Sequence, residues 1–331
     1  MDASFWATQR VLVTGAAGFL GRWTARTLAT SRAELILVDK VPTLPETLFV
    51  ERPGRDAAWF TLDLTDTAGL TRLLADTAPT VVINLVGSPG EVQAHDNPAA
   101  AFNDDALATR SLLDALYRYN DAEPARLAAA VHVSTSAVYG MQAQTPTPES
   151  APLNARAVGA AGQACADILA RAYADSFGLP LSVARVARTF GGDDRNEHNL
   201  VSDCISRALD GEPPLIRGSG LDAAGYLHVD DAVNAILKLA ERTEADPDIA
   251  ASAFNIAPAE PITVLELARR VLRRAGRPDI DPIVSMPGDG ATSEELDTTA
   301  ARKLLGWTPA MTLDEGIEEA LTWYAARSLA A

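Results

Sequence analysis

The sequence predicts an α/β fold: a doubly wound parallel sheet followed by a smaller C-terminal substrate domain. Three observations predict it. The chain opens on a strand–helix–strand unit. The apolar, β-branched run "RVLVTG" ends on Gly15, a helix-compatible stretch runs from Phe19 to Thr30, and "ELILVDK" reads as a second buried strand. Strand-like runs then recur between helical segments, at "AWFTLDL", "TVVINLVG", "AAAVHVSTS" and "LPLSVARV". Apolar strands that alternate with helices predict a parallel sheet covered on both faces.

The later elements follow from their punctuation. In "DNPAAAF", Asn97 suits the cap of a helix and Pro98 its first turn. The Pro/Thr loop "QAQTPTPESAP" feeds a long helix over roughly 156–177. Beyond about residue 190 the pattern loosens into loops, short strands and helices. Thr263 with Glu266 and Thr312 with Glu315 have capping-box spacing, and Gly276 suits a helix stop. The expected division is a first domain over 1–190 and a second, mainly substrate-binding, over 191–331, with segments of the second returning to the first core. No internal repeat is visible.

Composition narrows the function. The chain has 331 residues and a formal charge of −16, and so acidic a surface repels a phosphate backbone. No nucleic-acid partner is expected. Cys165 and Cys204 make neither a CxxC pair nor a disulfide framework, which fits a reducing cytoplasm and no metal. "MDASFWATQR" does not read as a signal peptide, and no apolar run approaches the roughly 18–20 residues that span a bilayer. The expectation is a cytoplasmic protein with a small-molecule substrate and no membrane partner. Its oligomeric state is open.

Gly15, Gly18 and Gly21 form GxxGxxG at a strand-to-helix turn. Glycine there allows the tight turn and lets a pyrophosphate approach the backbone. The helix N-terminus then meets the anion with free N–H groups and a favourable dipole. Ala17, Phe19 and Leu20 complete this Rossmann-type cradle. Asp39, 18 residues after Gly21, ends the next strand, where a carboxylate can accept both ribose hydroxyls of an adenosine. Asp39 repels a 2′-phosphate, so NAD is favoured over NADP. Lys40 and Arg22 keep NADP open. In "DLTD", Asp63, beside Leu64, can meet the adenine amino group or serve a helix cap. At the end of the fourth strand, small residues around Leu85, Val86 and Gly87 let the backbone lie against the cofactor.

With these residues the chain resembles the extended short-chain dehydrogenase/reductase family, the NAD-dependent epimerase/dehydratase group. "TGAAGFLG", "STSAVYG", "PLN…ARAYADSFGLPLSVAR", "GYLHVDDAVNAI", "FNIAPAEPITVLELA" and "ARKLLGWTPAMTLDEGIEEALTWY" carry the resemblance from about residue 10 to 324. It implies that Thr135, five residues before Gly140, donates its hydroxyl to a substrate carbonyl, with Ser136 as the alternative donor. The other reading of Thr135 is a strand-ending residue that bonds locally. The resemblance also implies a Tyr followed four residues later by a Lys on the long helix. Those places hold Gly159 and Gln163. No Tyr lies between Tyr139 and Tyr173, and the three lysines, Lys40, Lys238 and Lys303, do not restore the motif in any register. Other departures accompany the loss. Asp105 stands for the family's Asn, Arg185-Val186-Ala187-Arg188 for its RP-x-N segment, and Ala224-Gly225-Tyr226 for its Arg-Asp-Phe.

In the family the Tyr moves the hydroxyl proton, while the Lys lowers the Tyr pKa and holds the nicotinamide ribose. Such acid–base assistance is worth roughly 10²–10⁴ in rate. A substrate that carries its own acid removes the need for it. A ketone hydrogen-bonded to a neighbouring phenol is such a substrate, and in its losses the chain resembles atypical superfamily members that act on aromatic polyketides. The reading is an NAD(P)H-dependent ketoreductase with a substrate-assisted mechanism, of the kind used in antibiotic biosynthesis. A non-catalytic NAD-binding protein and a nucleotide-sugar epimerase or dehydratase with rerouted acid–base groups are the alternatives. Ser88, Arg188 and His198 are candidate substrate contacts. His95 is a further loop candidate, whereas His132 and His228 read as structural.

Overall fold

A short helix α1 (Ala3–Trp6), capped by the Asp2 carboxylate, leads into β1 (Arg10–Thr14). The computed structural model describes residues 1–42, 57–88, 91–122, 126–196, 198–286 and 292–328. After β1 come α2 (Phe19–Ala29), β2 (Glu34–Asp39), β3 (Ala57–Thr61), α3 (Thr67–Thr77) and β4 (Val81–Asn84). Then follow α4 (Glu91–Asp96), α5 (Pro98–Phe102), a π-helical segment Asn103–Leu107, and α6 (Ala108–Ala122). β5 (Ala129–Thr135), α7 (Val158–Phe177) and β6 (Leu181–Val186) complete the sequence of sheet and covering helices. As its sequence indicates, α5 has Asn97 at its cap, accepting from the Ala100 N–H at 3.1 Å, with Pro98 in its first turn.

The sheet has seven strands in the order β3-β2-β1-β4-β5-β6, with the strand Ala253–Ile256 at the far edge. It is parallel, and the strand order reverses between β1 and β4. The crevice beyond the carboxyl ends at such a reversal is where doubly wound folds bind ligands. Register pairs Thr14 with Asn84, and Asn84 with His132, so β1 and β4 end level while β5 runs three residues further, to Thr135. Leu12, Ile36, Val38, Val82 and Val183 pack on one face against Leu74, Leu112, Leu116 and Ala170 of the helices. The alternate residues Val11, Val13, Leu35 and Leu37 are buried too, so both faces are covered, each large side chain contributing about 1.5–3 kcal/mol.

The chain forms two compact units. The first comprises residues 1–140, 152–185 and 233–254, the second residues 141–151, 186–232 and 255–331. The second unit contains α8 (Leu200–Asp210), the start of α9 (Val229–Ala245), α10 (Val264–Arg274) and α11 (Leu313–Ser328). Its core gathers Phe190, Ile205, Val271, Leu272 and Ile317. The capping signals act as their spacing implies. Thr263 accepts from the Glu266 N–H, while Thr312 and Glu315 bond each other reciprocally at the start of α11. Gly276 follows α10 with φ +74°. Among the described residues no helix is long and apolar enough to cross a membrane.

Candidate functional site

The glycine turn lies at the carboxyl end of β1, in the first unit. Gly15 has φ +69°, and a Cβ there would stand 2.7 Å from the Leu85 carbonyl oxygen. The close approach of β1 to the end of β4 thus requires glycine. Gly21 is equally constrained, since a Cβ would meet the Gly15 oxygen at 2.1 Å. Gly18 is different: its Cβ would meet only that oxygen, at 3.1 Å. Packing presses less on position 18 than on 15 or 21, since the Gly15 oxygen would need to give by only a few tenths of an ångström, whereas a ligand laid on the turn would meet any side chain there. Gly18 is also the N-cap of α2, and no side chain caps it. Ala17 and the first helical residues, Phe19 and Leu20, line the same partly exposed turn. A cradle that a Cβ would fill, at the uncapped N-terminus of an 11-residue helix, fits a pyrophosphate.

Asp39 sits beside this turn. Its two carboxylate oxygens accept from the Ala17 N–H at 2.9 Å and the Val41 N–H at 3.1 Å. Each oxygen keeps accepting capacity for a hydroxyl. Lys40 holds the Asp104 carboxylate at 2.7 and 2.9 Å, and Arg22 donates to the Ala17 carbonyl. Both nearby cations are thus engaged within the protein. Asp63 accepts from the Thr65 N–H and hydroxyl, which hold its pKa below the ordinary carboxylate value. The cap of α3 is Asp66, which accepts from the Gly69 N–H, so the capping role falls to the second acid of "DLTD". Leu64 is a core side chain. Leu85 and Val86 are half-buried beneath Gly15, and Gly87 is exposed.

At the end of β5, Thr135 is half-buried and accepts locally from the Ala137 N–H at 3.3 Å. Its own O–H remains a donor. Ser136 is buried in the short 3₁₀ turn that follows. Gly159 is buried in the first turn of α7. Gln163, one turn on, reaches the Asp105 carboxylate with its Nε2 at 2.7 Å. Asp105 lies in the π-helical segment, fully buried, and also accepts from Ser88. The Ser88 N–H donates at 2.6 Å to the oxygen that Gln163 uses, and the Ser88 hydroxyl lies 3.0 Å from the other. Burial pushes this carboxyl up to about 6, against the lowering effect of its hydrogen bonds to Ser88 and Gln163. Gly162 lets α7 come this close, since a Cβ there would stand 2.8 Å from the Asp105 carboxylate.

Asp105 is the residue that sequence reasoning treats only as a replaced Asn. A carboxylate in a five-residue π segment was the available signal, but the segment itself is not visible from spacing. Of the other candidates, His95 is exposed on α4. His132 is buried with its Nδ1 3.0 Å from the Asn84 amide nitrogen, and burial lowers its pKa to about 4. In the second unit Arg188 pairs with Glu294 at 2.6 Å, and His198 is exposed. His228 is buried there, 3.1 Å from Glu319 and edge-on to Phe190. Among the described residues no group of three His, Cys, Asp or Glu side chains is arranged to hold a metal ion.

Comparison with known proteins gives the lineage. Residues 11–257 match the NAD dependent epimerase/dehydratase family. The chain is 30% identical over 328 residues to a UDP-glucose 4-epimerase of Mycolicibacterium smegmatis, covering 96% of this chain and 99% of that one. It is 29% identical to a dTDP-4-dehydro-6-deoxy-D-allose reductase of Streptomyces bikiniensis, covering 98% of each. A crystal structure of UDP-glucose 4-epimerase with UDP-glucose from Thermotoga maritima shares the fold, with a TM-score of 0.84, 24% identity and coverage of 96% and 99%.

Proposed function

Because the chain belongs to the NAD dependent epimerase/dehydratase family, we propose that it is a carbonyl reductase acting on a ketone flanked by a phenol, as in aromatic polyketides. The observation that carries this reading is a whole glycine turn and Asp39 in a chain whose α7 bears Gly159 and Gln163 where the relatives' family expects Tyr and Lys. Gly15–Gly21 would hold the pyrophosphate and Asp39 the adenosine ribose. NAD is favoured, since Asp39 repels a 2′-phosphate and Lys40 is committed to Asp104. A bound reduced nicotinamide supplies the hydride. Thr135 donates its O–H to the carbonyl oxygen and orients it, with Ser136 assisting. The neighbouring phenol passes its proton to that oxygen within the substrate, so the chain needs no Tyr at the site. A small-residue position at Gly159 suits a broad aromatic ligand.

The test compares ortho-hydroxyacetonaphthone with its methyl ether, following the nicotinamide absorbance with NADH and NADPH. The methyl ether should bind measurably and turn over at least about 100-fold more slowly. Equal rates would mean that the proton does not come from the phenol. The relatives' sugar chemistry favours a second reading, a nucleotide-sugar epimerase or dehydratase, and turnover of a UDP- or dTDP-linked hexose but no aryl ketone would select it. Cofactor binding without turnover of either class would mark a non-catalytic NAD-binding protein.

A further inference from the structure

We propose that the Ser88 hydroxyl and the Asp105 carboxyl form the proton reservoir of the reductase site, returning to the substrate phenolate the proton that the phenol gives up. This rests on the phenol-assisted reading above.

The geometry singles out which atom holds the proton. One Asp105 oxygen, Oδ1, accepts from both the Ser88 N–H and the Gln163 Nε2–H, at 2.6 and 2.7 Å. An oxygen with two donors aimed at it does not carry a proton. The other, Oδ2, faces the Ser88 hydroxyl at 3.0 Å. When Asp105 is neutral its proton lies on Oδ2 and donates to Ser88 Oγ, which frees the Ser88 hydroxyl hydrogen to donate elsewhere. Asp105 is fully buried, whereas Ser88 is half-buried next to exposed Gly87. Protons therefore enter and leave through Ser88.

Ser88 also lies past the carboxyl end of a central strand, β4. Asn84 and His132 are in register on the neighbouring strands β4 and β5. Ser88 is four residues beyond the first and Thr135 three beyond the second. Neighbouring strands are about 4.8 Å apart. Ser88 thus lies beyond the carboxyl end of β4, and Thr135 is the last residue of the neighbouring β5.

The step balances. The Ser88 Oγ–H bond breaks as an O–H bond forms at the phenolate oxygen. The Asp105 Oδ2–H bond breaks as a new O–H bond forms at Ser88 Oγ. Its electron pair stays on Oδ2, and the carboxylate is held by the Ser88 and Gln163 N–H groups. Water reprotonates it after product leaves, so the ketone has gained a hydride and one solvent proton. Below its midpoint near 6 Asp105 rests as the neutral acid, and it donates downhill to a phenolate, whose acid lies near 10. Among the described residues the charge acting on Asp105 is that of Asp104, which Lys40 balances. Ser88, Gly162 and Gln163, which face it, are uncharged.

Two measurements test the reservoir. Carboxyl ¹³C NMR of the Asp-labelled NAD⁺ complex, with Asp105→Asn to assign the signal, reads the acid without any turnover. The expected midpoint is about 6, moving upward in Ser88→Ala, which deletes a hydrogen bond to the charged form. A midpoint in the ordinary range near 4 overturns the proposal. Single-turnover absorbance of ortho-hydroxyacetonaphthone reads the step. In Asp105→Asn and Ser88→Ala, below about pH 6, the phenolate band should accumulate and decay roughly 100-fold more slowly than the nicotinamide signal of the same variant. Ser88→Thr, which keeps the hydroxyl, should restore the decay. A native phenolate decay in both variants overturns the reservoir and leaves the phenol-assisted reading standing. Equal turnover of the methyl ether overturns that reading itself.

Discussion

Gly18 and Asp39 are the two residues whose substitution separates binding from folding. A Cβ at 18 meets the Gly15 oxygen at 3.1 Å, a tight contact but a far milder one than at 21, so Gly18→Val should fold with some loss of stability while its branched side chain occupies the pyrophosphate cradle. Calorimetric titration should find no NAD binding by Gly18→Val, with a smaller fall in melting temperature than in Gly21→Val. Retained affinity would move the cofactor elsewhere. Gly21→Val, by contrast, should lose stability, because its Cβ has no room at 2.1 Å from the Gly15 oxygen. Asp39→Ala should weaken NAD more than NADP, since it removes both the ribose acceptor and the charge that repels a phosphate. A native preference for NADP would show that Asp39 is misread. Thr135→Ala removes one polarising donor. A turnover loss worth about 3 kcal/mol at most is expected, with the melting temperature hardly moved.

Helix α7 is the element that carries the departures of this chain. Gly159, Gly162, Gln163 and Asp167 recur at helical spacing, and Gly159, Gly162 and Asp167 are buried on it. Asp167 ties the helix to β6 by two bonds to Arg185, at 2.8 and 2.9 Å, and Arg171 approaches it at 3.0 Å. Arg185 in turn donates to the Tyr139 hydroxyl at 2.7 Å. Asp167→Ala leaves that buried guanidinium without its counter-charge and should cost about 3–5 kcal/mol in denaturant titration. A loss below about 1 kcal/mol would mean that water or Tyr139 replaces the carboxylate. Restoring the pair by Gly159→Tyr with Gln163→Lys should not raise the rate. The phenol would fill space next to the site, and the ammonium would hold Asp105 ionised. A large gain would mark the site as a weakened ordinary one.

The same helix shows what is legible in a sequence. Its length, its loop and the absence of Tyr and Lys are local facts, readable from spacing. The glycine turn and Asp39 are readable because one βα unit contains them. The join of Gln163, Asp105 and Ser88 is not, because it assembles three segments that are far apart in the chain. Within the π segment Asp105 is buried, while its neighbour Asp104 faces Lys40. By pattern alone "NDDA" is a pair of solvated acids.

For the whole molecule, the two shifted groups of the first unit pull stability in opposite directions with pH. Asp105 is raised from 3.8 to about 6, so its stabilising contribution is complete below 3.8 and is lost as pH rises through 6. His132 is lowered from 6.5 to about 4, so its contribution is complete above 6.5 and is lost as pH falls toward 4. Each group amounts to about one proton in the interval they share, about 1.4 kcal/mol per pH unit, with opposite signs. The native chain should therefore show little change in stability from these groups between about pH 4 and 6. Asp105→Asn removes one side of the balance. The variant should gain relative stability near neutral pH, where the native chain carries a buried charge, and lose that advantage steadily on acidification as the unopposed His132 effect appears. Urea titrations at several pH values check this. Because the net charge of −16 acts on both proteins almost equally, the difference between the two curves isolates Asp105. Parallel curves would mean that this carboxyl titrates like an exposed one, and the proton reservoir would fail with it.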